Sequence, residues 1–414
     1  MHATWHWKVL VCGLAAVVGL TYGYRKMAAS WETVTTTFTK TDKPYGGGAF
    51  RIHGNDVLSL KTADPEIHYH VVGLDKGYDG AQAIAEEPWA EDSGERLSRS
   101  TVRILRGKLD DNLTRAFEQR GQDAAWSYSK DWSTLYVSTG WMDYTKPVPK
   151  DGMSPQITKL WRSHDSGKTW TQLTWPENQN IGKLLFLDPL RGYAIGWGPH
   201  IWRTADGGQS WQEIKMPPLA THYDQPRKTF DAVNLGPNGV LRVAYYVTSL
   251  GEIRTSSVVC RLAWDWQDFE QDAVLPQQTV VDLQSSQEAS GIYSLYALSR
   301  LGPPRNWDDR TDKGHRTGAI SSWLSYQQPE VKQSHTFDER LTLDGLSVGT
   351  RGVLLVYATD ATRDGAPHDF TLSSTDSGKS WKETDDGIMQ GGYFDAETNT
   401  QYGLYAYTLK KRTF

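Results

Sequence analysis

The stretch "SHDSGKTW", residues 163–170, returns as "TADGGQSW" at 204–211 and as "STDSGKSW" at 374–381. Each copy reads Ser or Thr, any residue, Asp, any residue, Gly, any residue, Ser or Thr, Trp. The aspartate can accept hydrogen bonds from the amides of its own turn, and the hydroxyls can do so more weakly. The glycine supplies a backbone angle that other residues resist. The tryptophan re-enters a strand and offers a large apolar body for the gap between neighbouring sheets. No nucleophile faces a base in this pattern. The octapeptide holds a shape.

The copies also set a period. Asp165 and Asp206 lie 41 residues apart, and Asp206 and Asp376 lie 170 apart, about four such intervals. Around them run short aromatic and β-branched segments bounded by Gly, Pro, Asn or Asp: "STLYVSTGW", "ITKLWRS", "KLLFLD", "GYAIGWG", "HIWRTA". That is the pattern of many antiparallel strands. A repeat of this length with four strands per unit marks a β-propeller. Segments such as "VLRVAYYVTS", "GIYSLYALSR" and "GVLLVYATD" keep the strand rhythm where the octapeptide is lost. We therefore expect residues 31–414 to form one all-β propeller of about seven four-stranded blades. The tryptophans Trp170, Trp211 and Trp381 are expected to be buried between sheets. "STVRILRGKLDDNLTRAFEQRG" (100–121) is the one segment whose apolar spacing suggests a short amphipathic helix.

At these residues the chain resembles the Asp-box, or BNR-repeat, propellers. They include sialidases, sortilin-type receptors and photosystem assembly factors. The resemblance rests on Ser163, Asp165, Gly167, Thr169 and Trp170; on Thr204, Asp206, Gly208, Ser210 and Trp211; and on Ser374, Asp376, Gly378, Ser380 and Trp381. It implies that each box joins the third and fourth strands of a blade, and that ligands bind elsewhere.

Composition limits the function. Lys and Arg total 44 against 49 Asp and Glu, a net charge of −5, which argues against sequence-blind nucleic-acid binding. The 18 Trp, 20 Tyr and 38 Gly favour short strands and tight turns. Both cysteines, Cys12 and Cys260, read as free thiols. "WHWKVLVCGLAAVVGLTYGYRK" (5–26) carries an apolar core, Val9–Leu20. Extended to Tyr24 it makes ~24 Å of helix, enough for a short membrane span. A signal anchor and a cleaved signal peptide both fit, and each exports the body to the periplasm. Cys12 has almost no apolar run before it, which argues against lipidation there. Residues 1–30 are thus read as anchor (or signal peptide) and linker, with the bacterial inner membrane as its site. Arg25 and Lys26 outnumber Lys8, so the flanking charge leaves the orientation open.

Three motifs invite catalytic readings. "FRIH" (Phe50–His53) is similar to the Phe/Tyr-Arg-Ile-Pro motif of sialidases, whose arginine grips a substrate carboxylate, and Asp75 is then the available acid. His53 stands where that motif has proline. Arg254, Arg300 and Arg351 have no defined place as its partners, and no Tyr–Glu nucleophile pair can be assigned. The plain alternative is a strand with a surface Arg51. "GLSVG" (Gly345–Gly349) matches the serine-hydrolase elbow, but a strand and not a helix follows Ser347. His68 and His70 share a strand face without the third ligand that zinc requires. No catalytic residue, metal or cofactor is assigned.

The opening "GGAFRIHGNDVLSLKTADPEIHYHVVGLDKGYDGAQAI" (47–84) resembles immunity proteins that neutralise phospholipase effectors of type VI secretion systems. It implies a non-catalytic, envelope-facing protein that binds a lipase toxin. The alternatives are an assembly or scaffold propeller, or a sialidase-like glycoside hydrolase. The insertions at 74–98 and 301–317 are the expected contacts, with Glu86, Glu87, Glu91, Asp92 and Trp307 as partner-binding residues.

Overall fold

A computed structural model of the chain describes residues 32–35, 49–53, 56–63, 69–71, 83–85, 101–108, 114–121, 123–142, 156–176, 180–196, 200–215, 230–247, 256–265, 267–287, 293–302, 317–324, 330–360, 368–385, 392–405 and 408–414. Seven four-stranded antiparallel sheets form the blades of a β-propeller. Blade 1 is β2 (Ala49–His53), β3 (Asp56–Ala63), β6 (Thr101–Lys108) and β7 (Thr114–Arg120). A separate two-stranded ribbon, β4 (Tyr69–Val71) and β5 (Ala83–Ala85), lies between its second and third strands in sequence. Blade 2 is β8 (Asp123–Tyr128), β9 (Leu135–Met142), β10 (Gln156–Ser163) and β11 (Thr171–Leu173). Blade 3 is β12 (Ile181–Phe186), β13 (Gly192–Gly196), β14 (Ile201–Thr204) and β15 (Gln212–Glu213). Blade 4 is β16 (Ala232–Leu235), β17 (Leu241–Val247), β18 (Ser256–Leu262) and β19 (Glu270–Pro276). Blade 5 is β20 (Gln278–Gln287), β21 (Tyr293–Leu301), β22 (Gly318–Leu324) and β23 (Lys332–Thr336). Blade 6 is β24 (Leu341–Val348), β25 (Leu354–Asp360), β26 (His368–Ser374) and β27 (Lys382–Asp385).

Blade 7 closes the ring. Its strands β28 (Gly392–Asp395), β29 (Thr400–Tyr405) and β30 (Thr408–Thr413) come from the C-terminal end, and its fourth strand is β1 (Glu32–Thr35). Glu32 pairs with Lys411 and Thr33 with Lys410, so the two ends of the propeller are fastened by one ladder. Apolar side chains fill the gaps between sheets. Phe117 and Val102 of blade 1 pack with Leu135 and Val137 of blade 2, and Leu298 and Ile320 of blade 5 pack with Leu346 and Val356 of blade 6. Blades 6 and 7 are tied by a buried hydrogen bond from Gln401 Nε2 to Thr371 Oγ1 at 3.3 Å, and within blade 7 Arg412 Nε donates to Gln401 Oε1 at 2.8 Å.

The octapeptides join the third and fourth strands of blades 2, 3 and 6, and their bonding is repeated almost atom for atom. The glycine amide donates to the leading hydroxyl at 2.8 Å in each copy, at Gly167, Gly208 and Gly378. That hydroxyl donates to the aspartate, also at 2.8 Å. The second aspartate oxygen accepts from Thr169, Ser210 or Ser380 Oγ at 2.6 Å. The glycines hold φ of +87°, +85° and +84°, a left-handed conformation that a side chain resists.

The tryptophans depart from expectation, because each is only partly buried. Trp170 packs on Phe117 of blade 1, Trp211 on Trp175, and Trp381 on Phe337, so each reaches toward the preceding blade while keeping one edge in solvent. Its indole N–H is satisfied by the glycine carbonyl of its own turn, at 3.1, 3.2 and 3.0 Å, which holds the ring at the sheet edge.

The segment 100–121 is a second correction. It holds the strands β6 and β7, with Ile104 opposite Phe117, in place of a helix. Val102 and Ile104 alternate into the core, and β3 requires a neighbour along its length, so sheet pairing overrides the helical spacing of the leucines. Cys260 is a buried free thiol, 3.4 Å from Tyr245 Oη. Cys12 and the expected membrane helix Val9–Tyr24 lie outside the described residues, among which no helix is long and apolar enough to cross a membrane.

Candidate functional site

The propeller has two unlike ends. Among the described residues, the turns that join first to second strands and the octapeptide turns that join third to fourth strands lie at one end. There the octapeptide turns rest on the first turn of their own blade: Ser166 N donates to Ser133 O, Gly207 N to Leu190 O, and Ser377 N to Gly352 O, at 3.0, 2.8 and 2.9 Å. Second strands end and third strands begin at the other end, and the stretches of sequence between them are long in several blades: 64–100 in blade 1, 143–155 in blade 2, 302–317 in blade 5.

A cavity of about 930 Å3 opens at the octapeptide end, on the axial side of blades 6, 7, 1 and 2. Arg51 lies at its centre. β2 alternates Phe50 and Ile52 into the packing between blades, which leaves Arg51 on the other face. Its Nε donates to Tyr128 Oη at 2.6 Å, and its Nη1 to Phe50 O at 2.7 Å. The guanidinium carbon sits 4.9 Å from the Tyr393 ring centre, 5.5 Å from Trp126 and 5.9 Å from Tyr128. An aromatic sleeve of this kind favours a cation electrostatically. The expectation of an ordinary surface Arg51 is therefore corrected: blades 7 and 2 close around it.

Tyr393 and Tyr402 form a stacked pair, 6.0 Å between centres and 14° between planes. Burial pushes both phenols above the usual tyrosine value. The neighbouring Tyr128 and Asp395 push Tyr393 further in the same direction, and Arg51 opposes them. Both phenols stay protonated as hydrogen-bond donors at neutral pH. Asp395 is engaged by its own turn, accepting from Glu397 N at 3.1 Å and Thr398 Oγ1 at 2.6 Å. At the rim, Lys130 of blade 2 pairs with Glu397 of blade 7 at 2.7 Å, and the carboxylate raises the affinity of that lysine for its proton. Trp132, 5% exposed, lines the floor with φ of +58°. A bulky residue in that region is strained, and such strain clusters at functional sites.

The other sequence-selected residues scatter. Ser347 lines the cavity from β24, 3.3 Å from Tyr357 Oη, inside a strand and not on a strand-to-helix turn. Arg300 donates to Leu343 O at 3.0 Å and Arg351 is exposed in a turn, and neither lines the cavity. Arg254, Asp75 and His68 lie outside the described residues, as do Glu86, Glu87, Glu91, Asp92 and Trp307. His70 is in β4, and its side chain is outside them too. No group of three or more metal-ligating side chains occurs among the described residues. None of the octapeptide residues lines the cavity.

Sequence reasoning missed Tyr128, Trp132, Tyr393, Tyr402 and Lys411. They come from blades 2 and 7 and converge only when the ring closes, so no spacing could reveal them.

No protein-family model and no curated protein matches the sequence. Among solved structures, the chain is similar to a YCF48 bound to a D1 peptide, at 11% identity over 77% of this chain and 89% of that one, with a TM-score of 0.47. It is also similar to a GH74 enzyme of Niastella koreensis, at 13% identity over 77% of this chain and 51% of that one, TM-score 0.47. A third is the GH74 xyloglucanase of Xanthomonas campestris, at 15% identity over 92% and 53%, TM-score 0.45. The chain spans about half the length of the two enzymes. The likeness is one of fold, and it transfers neither ligand nor reaction.

Proposed function

We propose that this is a non-catalytic binding propeller that captures a protein partner with the end opposite the octapeptides, and that the partner is a phospholipase toxin acting in the periplasm. One observation carries the binding role. The two insertions that stand out in the sequence, 74–98 and 301–317, both fall in second-to-third connections, of blades 1 and 5, and so leave from the same end of the ring. Variable connections on a rigid scaffold are the usual place for recognition. The first carries Glu86, Glu87, Glu91 and Asp92, which suit a basic partner, and the second carries Trp307, a residue type favoured as an interface anchor.

Support for the toxin comes from elsewhere: the apolar Val9–Leu20 segment and the resemblance of residues 47–84 to immunity proteins. The non-catalytic reading rests on the cavity, where Ser347 meets a tyrosine and not a base, and where Asp395 and Glu397 are each held by other groups.

The test is co-expression. The product of the adjacent gene is sent to the periplasm with and without this protein, and survivors are counted. Rescue supports the reading, and rescue should weaken when Glu86, Glu87, Glu91 and Asp92 are neutralised together. A product harmless alone, or equally lethal with this protein present, ends the immunity reading and leaves the assembly-factor reading in its place.

A further inference from the structure

We propose that the cavity at the octapeptide end is a binding site for an organic anion, a carboxylate or phosphate group carried on a planar or apolar body. It is separate from partner capture, which uses the opposite end.

Three observations converge. The first is unused positive charge. Arg51 spends Nε and Nη1 on protein acceptors, and its Nη2 has none among the described residues. Lys411, half-buried in the wall on β30, has no ion pair there either. Of the acids in the lining, Glu397 is paired with Lys130, while Asp395, held by Thr398 and the Glu397 amide, keeps its charge, so the lining sets three cations against two carboxylates. A carboxylate or phosphate in this cavity would find an arginine edge and an ammonium among its walls, and hydrogen bonds between charged groups are the strong ones.

The second is the wall around that charge. Tyr128, Tyr357, Tyr393, Phe394 and Tyr402 present flat apolar faces, with the phenols of Tyr393 and Tyr402 as additional donors. A site lined by aromatics with a few convergent polar groups, in a volume of about 930 Å3, is of the size that encloses a small organic ligand. A free cation is disfavoured, because Arg51 already occupies the aromatic sleeve.

The third is preorganisation. Arg51 is held between blades 7 and 2 by the Tyr128 hydrogen bond and the Tyr393 ring, so its charge is fixed before any ligand arrives. Fixed groups lose little freedom on binding.

Two sources can supply such an anion, a soluble metabolite or a lipid headgroup. β1 begins at Glu32, opposite Lys411 of the cavity wall.

The purified full-length chain is titrated with phenyl phosphate and with 3-phenylpropionate, followed by ligand-observed NMR. 3-Phenylpropanol and 3-phenylpropylamine serve as the neutral and cationic analogues. Both anions are expected to bind, and Lys411→Gln and Arg51→Gln each to weaken them at least tenfold, with the melting temperature of each variant as the folding control. Should Arg51→Gln fail to fold, Lys411→Gln decides, since Lys411 has no ion pair among the described residues. The proposal is overturned if the alcohol or amine binds as well as the anions, if neither anion binds, or if the folded variants titrate like the parent. Repeating the phenyl phosphate titration in phosphatidylglycerol and phosphatidylcholine nanodiscs then separates the sources. Loss of binding only in phosphatidylglycerol identifies the headgroup, and binding in both identifies a soluble ligand.

Discussion

Arg51 Nε donates a 2.6 Å hydrogen bond to Tyr128 Oη, joining the first strands of blades 1 and 2 within the lining of the cavity. The two residues are 77 positions apart, and the bond forms only because neighbouring blades present them to each other. Tyr128→Phe removes the acceptor and keeps the ring. We expect it to lower stability by about 1.5–3 kcal/mol, the range for a hydrogen bond to a charged group, measured by urea denaturation. No change would mean that the ring contacts alone hold Arg51.

The octapeptide turns give a contrast between backbone and side chain. Gly378 has φ of +84°, and a Cβ there would stand 3.3 Å from both Leu354 Cδ1 and Ser334 Oγ. Gly378→Ala should cost about 1–2 kcal/mol from the left-handed conformation alone. Trp211→Ala should cost about 2–3 kcal/mol, less than a fully buried tryptophan, because one edge of its ring is already in solvent. Thermal melts of both variants check the order.

Acid should loosen these turns. Burial raises the Asp206 pKa, but hydrogen bonds from Ser210 and Thr204 outweigh it and bring it down to about 2. Hydrogen bonds from the Ser380 side chain and amide, with one from Ser374, hold Asp376 at about 2 as well. Unfolded, each would bind its proton near 3.8. Their contribution is therefore complete above about pH 4 and is lost as pH falls toward 2. The melting temperature of Asp206→Asn should vary less than that of the parent across that window.

Blade 4 contains a buried ion pair. Arg242 Nε lies 2.8 Å from Asp272 Oδ2, with both side chains 1% exposed. Asp272→Ala leaves a buried guanidinium without its carboxylate and should cost about 3–5 kcal/mol, whereas Arg242→Met with Asp272→Leu should recover most of it. Equal losses in the single and double variants would contradict this.

The topology proposed for residues 1–30 has a direct readout. A reporter active only after export, fused after Phe414, should give signal, and deletion of residues 1–26 should abolish it. Activity from a cytoplasm-only reporter would reverse the orientation, as Arg25 and Lys26 allow.

What the sequence determined by itself is local. The octapeptide bonds run from a residue to its second or fourth neighbour, so the pattern in eight letters specifies them in full. The strands beside them are legible for the same reason, since alternation and turn residues act over a few positions. Tertiary structure decided the rest. The leucines of 100–121 carry a helical spacing, yet β6 and β7 form there because β3 needs a partner along its edge. The Thr-rich strand at Glu32 pairs not with the next strand but with β30, at the far end of the chain. "FRIH" drew attention to Arg51, but its aromatic sleeve and the nearby Lys411 come from blades 7 and 2. Such contacts depend on how seven sheets pack around an axis, and no short-range pattern encodes that distance.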